Sequence, residues 1–276
     1  MKKILFILLV LSLPMVCFSQ SSTGNPAKGD SLQQMEARGL SANVQATDTT
    51  KAAADSAYIK EDYAEAIQIY EALLKHGEAA EVYYNLGNSY YKSGELAKAI
   101  LNYERALLMQ PGNADIRANL EIARAKTVDK VEAVPDIFFV AWIKSLIDTT
   151  SADGWATWAI ASFILFILSL FAYIFSKQVL VKKLGFIAGL VFIAISVCTN
   201  LFAAQQKDQL VSRSEAIVMP PSITVRSTPS ESGTELFILH EGRKVSIKDN
   251  SMKGWKEISL EDGKVGWVPA SSVEII

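Results

Sequence analysis

Two stretches without a single charged residue, 155–175 and 184–204, constrain this chain more than any other feature. Each is 21 residues long, and as a helix each reaches about 31 Å, against a bilayer hydrocarbon core of about 30 Å. In lipid every backbone polar group needs an internal partner, so both stretches predict transmembrane helices. The connection between them, 176–183, holds Lys177, Lys182 and Lys183 and no acid, whereas Asp148 and Asp153 precede the first stretch. The asymmetry predicts a two-helix hairpin with its short loop in the cytoplasm. Trp155, Trp158 and Tyr173 fall where interfacial aromatic belts lie.

The N-terminus predicts export. Lys2 and Lys3 precede an apolar run over 4–13, and Cys17-Phe18-Ser19 then offers a small-x-small cleavage site, so 1–19 reads as a secretory signal peptide. Lipidation of Cys17 is the alternative, and Pro14, Met15 and Val16 lack the small residue it needs just upstream. After cleavage only Cys198 remains, so an intramolecular disulfide is excluded. Residues 20–50 are polar and poor in large apolar side chains, which predicts a flexible leader. With the chain exported first and then crossing twice, both soluble parts share the non-cytoplasmic side. The net charge of −2 and the lack of a basic stripe with interleaved aromatics exclude nucleic acid as a partner.

Between 80 and 111 the landmarks Tyr83, Leu86, Gly87, Tyr90, Gly94, Ala99, Tyr103, Ala106 and Pro111 stand at the offsets of a helix-turn-helix repeat of about 34 residues. Small residues at Gly87 and Ala99 allow two antiparallel helices to cross, and Pro111 stops the second. The stretch resembles a tetratricopeptide repeat. Tyr58, Tyr63, Ala66, Ile67, Tyr70 and Leu73 match Tyr91, Leu96, Ala99, Ile100, Tyr103 and Ala106 at an offset of 33, with Glu61 where the next repeat has Gly94. After Pro111, Asn113 caps a closing helix carrying Ile116 and Leu120, and Asn119-Leu120 repeats Asn85-Leu86. The domain 51–130 is therefore an all-α array of about two and a half repeats. Stacked repeats need about three for independent stability, so this array must lean on a neighbour.

Residues 131–154 include 137–147, which is apolar but too short to span and contains Lys144. It reads as a helix lying at the membrane surface, or alternatively as a cap over the last repeat helix. Residues 205–276 comprise a linker and a run of short β segments, 223–226, 236–239, 244–248, 255–258 and 264–268, separated by Gly233, Gly242, Gly254 and Gly263. Val225-Arg226-Ser227-Thr228-Pro229, Leu239-His240-Glu241-Gly242, Gly254-Trp255 and Gly266-Trp267-Val268-Pro269 together resemble a bacterial SH3 domain, which implies an all-β SH3-like barrel.

The order of parts, with the array ending in Asn119-Leu120-Glu121-Ile122-Ala123-Arg124-Ala125-Lys126-Thr127-Val128-Asp129, resembles the BatE family of the Bacteroidetes aerotolerance (Bat) system. The resemblance implies an inner-membrane protein of a Gram-negative cell that works beside von Willebrand factor A-domain membrane proteins and a MoxR-type ATPase in oxidative or envelope stress. The polar leader 20–50 departs from that pattern.

On the first helix of the best repeat, Glu81, Tyr84, Asn88 and Tyr91 share one face, the concave one in such arrays. They are the candidates for holding a partner's peptide, with Asn88 bonding its backbone; the alternative is that the tyrosines pack on the neighbouring repeat. A carboxylate clamp is disfavoured because Asp55 aligns with Asn88. Trp255 and Trp267 could form an aromatic shelf for a peptide or for peptidoglycan, which would make the chain a wall anchor or envelope sensor instead of a protein adaptor; the alternative for both is core packing. Gly185 and Gly189 form a Gly-x-x-x-Gly face for close helix packing. His76 and His240 lie in different domains, and neither a nucleophile motif nor a phosphate loop occurs, so no catalytic residue, cofactor or metal is expected.

Overall fold

The structure is a computed structural model that describes residues 50–129 and 137–276. The expected signal peptide, all but the last residue of the leader, and residues 130–136 lie outside the described residues.

Five helices build the array: α1 (Lys51–Ile59), α2 (Tyr63–Leu74), α3 (Ala80–Ser93), α4 (Leu96–Met109) and α5 (Ala114–Arg124). Local chemistry starts three of them. The Thr50 hydroxyl accepts from the Ala53 amide at 3.2 Å, Asp62 from Glu65 at 3.0 Å, and Asn113 from Asp115 and Ile116 at 3.0 and 3.3 Å. The turn between paired helices needs a left-handed residue: Gly94 takes it with φ 87°, and Glu61 adopts it in the first repeat with φ 63°. At Gly87 the helices touch, since a Cβ there would lie 2.7 Å from the Tyr103 ring. Around this crossing Leu86, Tyr90, Ile100, Leu101, Ile116 and Leu120 are buried together.

Helix α6 (Phe138–Ile147) leads to α7 (Ala152–Phe175) and α8 (Val179–Ser212), and the last two are long and apolar enough to cross a membrane. Both exceed their sequence-derived bounds. Ser151 caps α7 ahead of the apolar run, which shortens the interfacial segment. The loop shrinks to 176–178. The expected linker after 204 is a further stretch of α8, because Gln205, Gln206 and Gln209 are good helix formers and no glycine or proline intervenes. Arg213, left-handed at φ 39°, ends the helix.

The C-terminal region is an antiparallel seven-stranded sheet in the order β3-β2-β6-β5-β4-β1-β7, with β1 (Glu215–Val218), β2 (Ser222–Arg226), β3 (Glu235–His240), β4 (Lys244–Asp249), β5 (Trp255–Ser259), β6 (Val265–Pro269) and β7 (Val273–Ile275). The expected closed barrel is not what the strands form: β3 and β7 stand at the two ends of the sheet. Strands β1 and β7 escaped the sequence reading because they are short, and β1 also lacks alternation. Strand β1 is buried on both faces. Ala216 and Val218 point into the core of the sheet, while Ile217 and the terminal Ile276 join the core of the helical array.

The neighbour on which the array leans is thus the sheet. Lys244 reaches Glu104 of α4 at 3.2 Å and Glu215 at 2.6 Å, and Arg105 pairs with Glu274 at 3.1 Å and donates to the Ile275 carbonyl at 2.6 Å. Burial favours the neutral amine of Lys244, but Glu104 and Glu215 outweigh it and hold the ammonium above its ordinary pKa. Asp129, just beyond α5, accepts from the His240 amide at 2.7 Å and contacts its ring at 2.8 Å.

Candidate functional site

Alternate helices α1, α3 and α5 floor a groove on the other side of the array. Its lining follows from the 33-residue period, because positions one repeat apart meet equivalent neighbours. Asp55 on α1 accepts from the Tyr70 hydroxyl at 2.5 Å and from the Asn85 amide at 3.1 Å. One repeat on, Asn88 on α3 accepts from the Tyr103 hydroxyl at 2.8 Å and from the Asn119 amide at 2.9 Å. The same three-residue bond is thus made twice, and each copy ties a floor helix to the next floor helix and to the helix behind it.

This arrangement gives Asn88 a framework role that the sequence did not show. Its side-chain oxygen is committed to Tyr103 and Asn119, so Asn88 sets the spacing of α3 and α5. Tyr84 is also engaged, its hydroxyl accepting from Asn119 at 2.9 Å and its ring lying 6.1 Å from that of Tyr103. Glu81 is exposed and pairs with Lys51 at 2.8 Å. Tyr91 lies under the Lys126 ammonium, 4.3 Å from the ring centre. Of the four, Asn88 lines the groove cavity, and Tyr84 and Asn88 are bonded together through Asn119 as part of its framework.

A cavity of about 260 Å³ opens in the groove, lined by Asp55, Tyr58, Ile59, Tyr70, Asn85 and Asn88. Burial pushes the Asp55 carboxyl up, but hydrogen bonds from Lys51, Tyr70 and Asn85 outweigh it and hold the group below its ordinary pKa. Asp55 therefore stays an acceptor at neutral pH. Burial raises the Tyr70 and Tyr103 hydroxyls well above the usual phenol range, so both remain donors. Sequence reasoning aligned Asp55 with Asn88 but did not foresee that each is bonded across the repeats, Asp55 to Tyr70 and Asn85 and Asn88 to Tyr103 and Asn119.

In the sheet, Trp255 pairs with Pro269 and Trp267 with Glu257. The indoles therefore stand two ladder positions apart on one face, opposite the buried Ile258 and Val268, and both are half-buried. In the hairpin, Gly185 and Gly189 meet α7 of the same chain: a Cβ on Gly185 would lie 3.0 Å from the Ser169 carbonyl, and one on Gly189 would lie 3.8 Å from Phe166. Ser196 adds a hydrogen bond to the Ala159 carbonyl at 3.2 Å.

Stacked helix pairs with an open polar and aromatic groove define a helical-repeat recognition module. The tetratricopeptide repeat family matches residues 80–113, covering α3, its turn and α4, so the chain carries a tetratricopeptide repeat. No curated protein matches the chain significantly.

Proposed function

We propose that the chain is a membrane-anchored adaptor, without catalytic activity of its own, whose groove holds an extended segment of a protein partner. The observation that carries this reading is the open cavity of about 260 Å³ between α1 and α3, on an array whose other side is occupied by the sheet. The Tyr58 ring supplies apolar contact there, Asn88 lines the same cavity, and Tyr91 lies about one turn further along α3. The hairpin anchors the array: only 17% of each apolar window is buried within the protein, whereas a core helix of a soluble protein would be mostly buried. The lysines of the 176–183 stretch support a cytoplasmic loop, with array and sheet together outside, in the periplasm of a Gram-negative cell. The resemblance to the Bat system makes von Willebrand factor A-domain membrane proteins the partner class to test first, and it favours an SH3-like role in recognition for the sheet.

Co-purification in mild detergent tests the groove. Tyr58→Ala with Tyr91→Ala is expected to strip the partners bound by the wild type, while Trp255→Ala retains them. Retention of every partner by the double variant refutes the groove. The shared face of Trp255 and Trp267 favours a second reading, a peptidoglycan anchor. Sedimentation with purified sacculi decides it, and equal sedimentation of wild type and Trp255→Ala with Trp267→Ala rejects it. For orientation, in a Cys198→Ser background a cysteine at Ser230 is expected to react with an impermeant maleimide on intact spheroplasts, and one at Gln178 to stay unlabelled.

A further inference from the structure

The groove cavity carries one charged residue in its lining, Asp55, and no lysine or arginine among the described residues. The Asp55 side chain is 36% exposed, so a ligand can reach it. Its bonds leave room for one more. The Tyr70 hydroxyl and the Asn85 amide both donate to Oδ1, and the Lys51 ammonium donates to Oδ2 at 2.8 Å, which fills three of about four acceptor positions and leaves the open one on Oδ2.

Lys51 is shared. It also pairs with Glu81 at 2.8 Å, so one ammonium stands between two carboxylates and one negative charge is left unmatched. Hydrogen bonds to Asp55 and Glu81 hold the Lys51 ammonium above its ordinary pKa, and it stays charged at neutral pH. The nearby charges do not restore the balance. Lys60 follows Ile59 in the turn after α1, but Glu61 and Asp62 come directly behind it. Lys126 lies over the Tyr91 ring and is not part of the cavity lining. Beside the carboxylate stands an aromatic wall. Tyr58 lines the cavity with its ring held edge to face by Tyr63, the centres 5.5 Å apart, and the face of a tyrosine attracts a cation.

We propose that the cavity takes a lysine or arginine side chain of the extended segment held by the groove, its charged end on Asp55 Oδ2 and its methylene stem along Tyr58. In the unbound protein Lys51 covers that carboxylate, and Glu81 retains Lys51 when the guest arrives. The site rests on the groove reading given above, and the experiment separates the two.

The full chain in lipid nanodiscs is used to select binders from a displayed library of random dodecapeptides, and those that lose binding to Tyr58→Ala with Tyr91→Ala are kept as groove ligands. They are expected to share one lysine or arginine at a fixed place, whose replacement by glutamine weakens binding at least about tenfold. Lys51→Met removes the competing cation and should tighten these peptides about two- to fivefold, a gain that misfolding cannot produce. Glu81→Gln cancels the unmatched charge and should loosen them by a similar factor. Glu261→Gln, exposed on the sheet, makes the same change in net charge and should leave the affinity as it is. Groove ligands without a shared basic residue overturn the proposal and leave the groove reading standing, as does equal affinity for the wild type, Lys51→Met and Glu81→Gln. If no selected peptide depends on Tyr58 and Tyr91, the groove reading falls and this site with it.

Discussion

Ile217→Ala tests whether array and sheet fold as one unit. Ile217 is fully buried, and on strand β1 it alone of the central residues points into the helical core, while Ala216 and Val218 point into the sheet. The substitution removes three carbons, about 2.4 kcal/mol at about 0.8 kcal/mol each, and the cavity left behind brings the loss to about 3–4 kcal/mol. That is a change of at least about a hundredfold in the opening equilibrium. Hydrogen exchange followed by mass spectrometry in detergent reads it by segment: peptides of α4 should lose protection by this factor together with β1. Val218→Ala serves as the comparison, since it removes buried carbon from the same strand on the face away from the helices, and its effect should begin in the sheet. Unchanged protection of α4 in Ile217→Ala would refute the shared core, because the array would then hold together without the strand.

Glu61→Gly relieves a left-handed non-glycine turn, offset by the glycine's greater chain entropy, and should stabilise the array by about 0.5–1 kcal/mol, read as a rise in melting temperature. For pH, Asp55 has a folded pKa below its ordinary value, so its stabilisation is complete above about pH 4 and disappears as pH falls through the lower folded value. The melting temperature of the array should therefore hold from about pH 7 to 5 and drop below about pH 4, and Asp55→Asn should remove part of that acid slope. Trp155→Phe deletes the indole donor to the Ile147 carbonyl and should cost about 1 kcal/mol, with increased exchange confined at first to α6.

The helical repeats were legible because their constraints are local and periodic: tyrosines recur at the repeat offset, as Tyr58 with Tyr91 and Tyr70 with Tyr103, and Gly87 and Gly94 stand where helix crossing and turn geometry demand them. The apolar helices were legible from length and charge alone, but their ends were not: 205–212 is polar, which reads as a linker, and its helix formers and lack of glycine or proline were the only local signs of a continuing helix. Strand β1 was hidden for a different reason. Three buried residues in a row lack the alternation that marks a half-exposed strand, and their burial on both faces depends on a helix more than 100 residues earlier in the chain. At the groove, the spacing of Glu81, Tyr84, Asn88 and Tyr91 revealed a shared face, but not that Asn88 was already bonded across repeats.

Helix α8 runs for 34 residues, about 51 Å, and only Arg213 and Ser214 separate it from β1. A rod of that length tilted by about 10° carries its far end sideways by about 9 Å. Arg213 also pairs with Glu78 in the loop before α3, so the joint has little slack. If the hairpin spans a bilayer as proposed, the helix would work as a lever arm: a change in its inclination would be delivered to the sheet, and through Ile217 to the core of the array.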